Sequence, residues 1–226
     1  MTLTSPPAHW GSFVGVDVGA RASWFASVTG HDVPELTAIE RVDSDAMGGL
    51  AHDLLGAAIV AIDAPEARSA QAHLGDARFA PKFQRGRCSE VALRRSGIAV
   101  PFITPGADEP LPEWMASGFS IWERAQLHAG RVLETWPHAV FWRLASRPLL
   151  HKQSEQGRAE RRAVLEQRML MPIGSNLWPH DALDALACAL VAWLAGHDAA
   201  ERIGCEDDDG WHSHDGSAMW LPPASG

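Results

Sequence analysis

The chain has no tyrosine, and only three of its 226 residues are cysteine. Cys88, Cys188 and Cys205 are widely separated and match no zinc-ligand spacing. An odd count without paired spacing fits a reducing compartment. Positive charge is scarce as well: 19 Lys and Arg stand against 28 Asp and Glu, for a net charge of -9 and a pI near 5.6. That balance excludes a protein that coats nucleic acid through a broad basic surface. An enzyme acting on nucleic acid is not excluded, because a cluster of metal-binding carboxylates itself lowers the net charge. The apolar run at 182–195 is shorter than the roughly 20 residues a membrane span takes, and it carries Asp184 near its start. The opening Met-Thr-Leu-Thr-Ser-Pro-Pro has neither the charged nor the apolar region of a signal peptide. A soluble cytoplasmic protein with no membrane partner is expected. Repeats, low-complexity tracts and a Gly-x-Ser-x-Gly nucleophile motif are all missing.

What remains is ordinary core material: 46% hydrophobic and 21% charged residues, a globular composition. Residues 12–17 read as a buried strand ending at an acid, followed across a Gly-containing turn by a strand at 21–28 and a third at 36–42. A helix at 47–55 leads into an apolar strand at 57–63 that also ends at an acid. Residues 64–112 are broken by six prolines and read as an ordered insertion near a functional site, with a short helix at 90–96. Helices are expected at 112–129, 139–145 and 155–170, with a strand at 131–135 stopped by Trp136-Pro137. A last helix follows Pro179, and the tail past Ile203 reads as a short strand or extended cover. Three strands, then alternating helices and strands, make an α/β fold with a mixed sheet and helices on both faces.

Between Ala182 and Ala195 the only polar side chain is Asp184. A helix apolar on all faces is a buried helix, and a buried carboxylate needs compensation. Asp181, three residues earlier, projects from the same face. Asp17 and Asp63 close apolar runs and belong at the carboxyl ends of strands; if those strands are parallel neighbours, both acids sit at one sheet edge. Glu134 lies in a further strand. Acids that close together cannot all stay ionised without a cation, and carboxylate oxygens select Mg²⁺ or Mn²⁺ over zinc. Taken singly, each acid also has a plainer reading. Asp17 and Asp63 fit side-chain-fixed turns, Asp181 fits a helix N-terminal charge, and Glu134 fits pairing with an arginine. Asp184 fits none of these.

Val14-Gly-Val-Asp-Val-Gly19, Ala61-Ile-Asp-Ala-Pro65, Glu134-Thr-Trp-Pro137 and His180-Asp-Ala-Leu-Asp-Ala-Leu-Ala-Cys-Ala189 together resemble the predicted RNase H-like nucleases grouped as a domain of unknown function, DUF429. The first, second and last motifs are also similar to RuvC-type Holliday-junction resolvases. The resemblance implies an RNase H-like fold with a mixed five-stranded sheet over residues 1–204, and a C-terminal tail at 205–226. It also implies a metal-dependent nuclease with two Mg²⁺ or Mn²⁺ ions on Asp17, Asp63, Asp181 and Asp184. The chain departs from the resolvases in carrying Asp63 where they have the longer Glu; Glu134 matches only the DUF429 pattern.

On this reading Asp17 bridges the ions, Asp63 and Asp184 each hold one, and Asp181 adds a further ligand. Glu134 is grouped with them as catalytic. Arg87 and Lys152 are candidates to orient a phosphate, although surface Arg and Lys are ordinarily solvated. The Arg-rich segment 158–168 reads as a mixed-charge solvent face, and His212-Ser-His214 with Asp215 as a solvated tail. The expected partner is DNA or RNA, and a resolvase-like role implies a homodimer. Two rivals stand beside the nuclease. One is an actin-like or sugar-kinase-class ATP-binding phosphotransferase, whose phosphate loop Asp17–Ser23 resembles. The other is a non-catalytic nucleic-acid or protein binding module.

Overall fold

A computed structural model describes residues 12–44, 56–172, 178–204 and 215–224 of the chain. The helix expected at 47–55, the acidic run at 206–209 and His212 and His214 lie outside the described residues.

Five strands form one sheet. They are β1 (Phe13–Asp17), β2 (Ala22–Thr29), β3 (Glu35–Asp43), β4 (Ile59–Asp63) and β5 (Arg131–Glu134), in the spatial order β3-β2-β1-β4-β5. The first three are joined antiparallel through short turns, whereas β4 and β5 run parallel to β1. Parallel strands need long crossovers, and here the β4–β5 crossover carries the 64–112 segment. That segment includes a single helical turn at Pro81–Gln84 and α1 (Cys88–Arg95), and α2 (Glu113–His128) follows it. After β5 come α3 (Pro137–Ala145), α4 (Glu155–Glu166) and α5 (His180–Gly196). A two-stranded sheet of β6 (Glu201–Gly204) and β7 (Ala218–Leu221) completes the described elements. A mixed five-stranded sheet with helices on both faces is the architecture that was expected.

Period-two alternation divides the central strands between two cores. Phe13, Ile59, Ala61 and Leu133 face the apolar body of α5, together with residues of α1, α3 and α4. Val14, Val16, Val60 and Ile62 face Ile121, Trp122 and Ala125 of α2. Burying both faces explains why β1 and β4 read as unbroken apolar runs. Asp17 shares the parity of Phe13 and Gly15, and Asp63 that of Ile59 and Ala61, so both acids leave the sheet on the α5 side.

Gly15 sets how closely that helix approaches. A Cβ there would stand 2.0 Å from the Ala189 nitrogen and 2.1 Å from the Ala185 oxygen. These are backbone atoms that cannot turn aside. Without a side chain at residue 15, α5 rests directly on β1, which brings Asp184 over the end of the sheet.

Three sequence expectations are corrected. The helix expected over 155–170 ends at Glu166, because Leu170 leaves it to extend the sheet edge: its N–H donates to the Pro34 carbonyl (2.9 Å) and its carbonyl accepts from Leu36 (3.3 Å). Cys188 is a free, buried thiol as expected, but Cys88 is disulfide-bonded where the spacing had suggested no pair. Asp215, read as part of a solvated tail, accepts from the Cys88 N–H at the start of α1, and Ser217 Oγ accepts from Ser89. The C-terminal segment thereby satisfies amide groups that a helix start leaves open. Among the described residues, no helix is long and apolar enough to cross a membrane.

Candidate functional site

Asp17 and Asp63 end neighbouring parallel strands, and their Cα atoms are paired in register. Asp17 is 7% exposed. Burial first, then Asp184, Asp63 and Asp181, push its carboxyl well above the ordinary value, and Lys152 pulls the other way. Burial and then Asp184 push Asp63 up to about 8, opposed by Lys152 and by a hydrogen bond with Asp17. Two carboxylates this close share a proton more readily than they both ionise.

Asp184 comes from the second turn of α5 and is 2% exposed. Lys152 Nζ donates to its Oδ2 at 2.8 Å. Burial pushes that ammonium down, but Asp184, and then Asp17 and Asp63, hold its pKa above the usual lysine value. The loop carrying Lys152 is fixed from α4. Ser154 caps the helix by accepting from Gly157 N–H (3.0 Å), and Gly157 lets the loop pass closely, since a Cβ there would lie 2.1 Å from the His151 oxygen. Asp181 lies further out, its side chain 43% exposed, with His180 Nδ1 at 2.5 Å from its Oδ1. His180, Asp181 and Asp184 bring one ligand atom each within 4.8 Å of one another. His180 is a candidate the sequence reading passed over. Its signal was the i, i+4 spacing to Asp184, which stacks the two on one helical face.

Glu134 and Arg87 are placed differently. The register sets Glu134 level with Ile62 rather than Asp63, so its side chain leaves the sheet on the opposite face. It meets Arg87 in a bidentate pair: Nη1 donates to Oε2 at 2.7 Å, and Nη2 to Oε1. Arg87 Nε donates to Thr104 Oγ1 (3.1 Å), and Thr104 N–H in turn donates to Glu90 Oε1 (2.8 Å). All four residues are buried. Each nitrogen of this buried guanidinium already donates to Glu134 or Thr104, so the structure holds Arg87 in a pair with Glu134 instead of presenting it to the clefts over the acids. Glu134 also accepts the Glu66 N–H (2.9 Å), which ties down the turn after Asp63.

Two clefts open on the acids and share Asp63, Phe102, Trp136 and Lys152. One, of about 420 Å³, is lined also by Asp17, Asp181, Arg21, Arg41, Trp24 and Trp114. The other, of about 590 Å³, is lined also by Asp184, His138, His151 and Arg161. Phe102 stands 66% exposed at their junction. The donor set suits a hard divalent cation: His180, Asp181 and Asp184 offer ligand atoms close together, Asp17 and Asp63 lie near enough to Asp184 for their carboxyls to be pushed up, and among the described residues Lys152 is the one ammonium or guanidinium within ion-pair distance of any of the four acids.

Residues 116–209 match the model of a family described as "Protein of unknown function (DUF429)", which bears out the resemblance read from the motifs. The matched stretch holds Glu134, Lys152, Asp181 and Asp184; Asp17, Asp63 and Arg87 precede it. No curated protein matches the chain. Among solved structures, the chain is similar to one described as "Thermus thermophilus RuvC structure", at 16% identity and a TM-score of 0.41, covering 83% of this chain and 96% of that one. It is similar to another described as "T. thermophilus RuvC in complex with Holliday junction substrate", again at 16% identity and 0.41, covering 81% of this chain and 94% of that one.

Proposed function

We propose that the protein hydrolyses phosphodiester bonds in nucleic acid, using Mg²⁺ or Mn²⁺ held by Asp17, Asp63, Asp181 and Asp184. The observation that carries this reading is the approach of four carboxylates from β1, β4 and α5, with Lys152 as the one ammonium or guanidinium paired to any of them among the described residues. Burial and the neighbouring acids push the carboxyls of both Asp17 and Asp63 up, a burden that a bound divalent ion would relieve. Bound there, the ions would supply an activated water and charge stabilisation for the leaving oxygen.

The chain's own residues do the rest. Asp17, nearest the centre of the sheet, is suited to bridge two ions, with Asp63 and Asp184 on either side and Asp181 with His180 at the rim. Lys152, already beside Asp184, is within reach of a phosphate oxygen lying over the acids. The flanking clefts suit a strand of nucleic acid: Trp24, Phe102, Trp114 and Trp136 offer faces for bases, and Arg21 and Arg41 offer charge for the backbone. This local arrangement is how a chain of net charge -9 can hold a polyanion.

The test is purified protein with Mn²⁺ against branched, duplex and single-stranded DNA and RNA. Cleavage is expected to require the metal and to be lost in Asp17→Asn and Asp184→Asn while both variants keep the parent's circular dichroism. Parent-like cleavage by both variants would overturn the reading.

A further inference from the structure

Arg161 on α4 is the one arginine lining the larger cleft. It is 5% exposed, yet no carboxylate lies within ion-pair distance of it among the described residues. Both of its hydrogen bonds leave from Nη1, to the Leu150 carbonyl (2.9 Å) and the Gly157 carbonyl (3.1 Å). Its Nε is buried and has no hydrogen-bond partner among the described residues. The guanidinium also lies over the Phe141 ring, 5.2 Å from the centroid. Nη1 therefore anchors the group, and the Nε/Nη2 edge is left unengaged. That edge is the one that grips an oxyanion with two parallel hydrogen bonds. A buried cation without a counter-ion is costly unless one arrives. Burial lowers the Arg161 pKa against the pull of Asp184 and Glu160, so the group is held short of full compensation.

We propose that the Nε/Nη2 edge of Arg161 binds a phosphate group in this cleft, a second anion site beside the four acids, and that the phosphate is the neighbour of the scissile one on a nucleic-acid strand. The strand as the source rests on the nuclease reading; the phosphate site does not. Asp184, Lys152, Phe102, Trp136 and Arg161 line the one cleft, so a strand lying in it can bring successive phosphates to the acids and to α4. One phosphate lies over the carboxylates and the next turns toward α4. A substrate with a single phosphodiester would leave Arg161 empty.

The site is tested on metal-free, full-length protein titrated calorimetrically with inorganic phosphate. One saturable site is expected, weakened at least tenfold in Arg161→Met and to a lesser degree in Arg161→Lys, which keeps the charge but loses the fork. Because Arg161→Met also loses the bonds to Leu150 and Gly157, crystals of the unsubstituted protein soaked in arsenate give a readout free of folding effects, with the anion expected on Nε and Nη2. No saturable binding, equal binding by parent and variants, or arsenate elsewhere would each overturn the site. The source is tested with Mn²⁺ and oligonucleotides carrying one neutral methylphosphonate at successive positions. A single flanking position is expected to slow cleavage by the parent and leave Arg161→Met indifferent; no such position would overturn the strand assignment. If the parent binds phosphate but cleaves nothing, the nuclease reading fails and the phosphate site stands.

Discussion

Asp17 and Asp63 are cross-strand partners at the carboxyl ends of β1 and β4, side by side on the face that α5 covers. The pairing makes each the other's electrostatic burden, and Asp184 adds to both. A fold that builds this cluster must neutralise it, with protons when metal is absent and with cations when it is present.

The first prediction follows from the sign of that proton linkage. Burial and Asp184 push the Asp63 carboxyl up to about 8 in the folded chain, from an ordinary aspartate value of 3.8. The folded state thus binds the proton more tightly than the unfolded one. Stability from this group is complete below about pH 4 and is lost as pH rises toward 8. In EDTA, Asp63→Asn should melt at a higher temperature than the parent at about pH 8.5, and the difference should shrink toward about pH 5. Saturating Mn²⁺ should stabilise the parent at the higher pH and leave the variant nearly unmoved. A pH-independent difference between the two would refute the linkage.

The close seat of α5 on β1 yields the second. Gly15→Ala would force a Cβ to 2.0 Å from a backbone nitrogen of the helix. Overpacking against backbone falls at the costly end of its range, about 3 kcal/mol or more. Urea denaturation measures the loss. Because the displaced element carries Asp184, any Gly15→Ala protein that still folds should also bind Mn²⁺ more weakly than the parent. Full stability in the variant would mean that the helix does not rest on the strand as described.

A third concerns the Arg87–Glu134 pair, buried at both ends. Removing one partner leaves the other charged and dry, at a cost of about 3–5 kcal/mol, whereas removing both is far milder. Arg87→Met and Glu134→Gln should each be strongly destabilising in denaturant titrations, and Arg87→Met/Glu134→Leu should recover much of the loss. The same double variant separates support from ligation. If Glu134 only ties down the turn at Glu66, the metal stoichiometry stays that of the parent, and a lost ion would show Glu134 to be a ligand.

Much of the fold was legible because its signals are local. β1 and β4 are apolar runs closed by acids, and α5 is an apolar helix with one carboxylate that nothing nearby explains. The site residues at strand ends and in the helix could be named for the same reason. The fate of Glu134 was not legible. Whether it faces the acids depends on its register against β4, a relation between residues far apart in the chain, and a shift of one position would reverse its face. Its partner Arg87 lies 47 residues away. Arg161 was hidden differently. It sits among other arginines and glutamates in a segment that reads as a solvent face, and only its burial in the folded chain sets it apart. The early end of α4 was set by Leu170 bonding to Pro34 and Leu36, a tertiary competition that helical periodicity does not register.

The fourth prediction turns on Lys152 as the occupant of the site before metal arrives. Its ammonium holds Asp184 Oδ2 at 2.8 Å and lowers the cost of Asp17 and Asp63 as well. A divalent ion taking Asp184 must displace that hydrogen bond and then tolerate a neighbouring positive charge. Lys152→Met removes both obstacles. Mn²⁺ should bind this variant about tenfold more tightly, the equivalent of one charge-assisted hydrogen bond of about 1.5 kcal/mol. Cleavage should nevertheless fall, because the group that reaches the phosphate is gone. Calorimetry and cleavage assays on one preparation measure the two effects together. Tighter metal with slower turnover fits a lysine that yields its place at Asp184 and moves to substrate. Weaker metal binding would mean instead that Lys152 holds Asp184 in position for the ion, and the exchange would have to be abandoned.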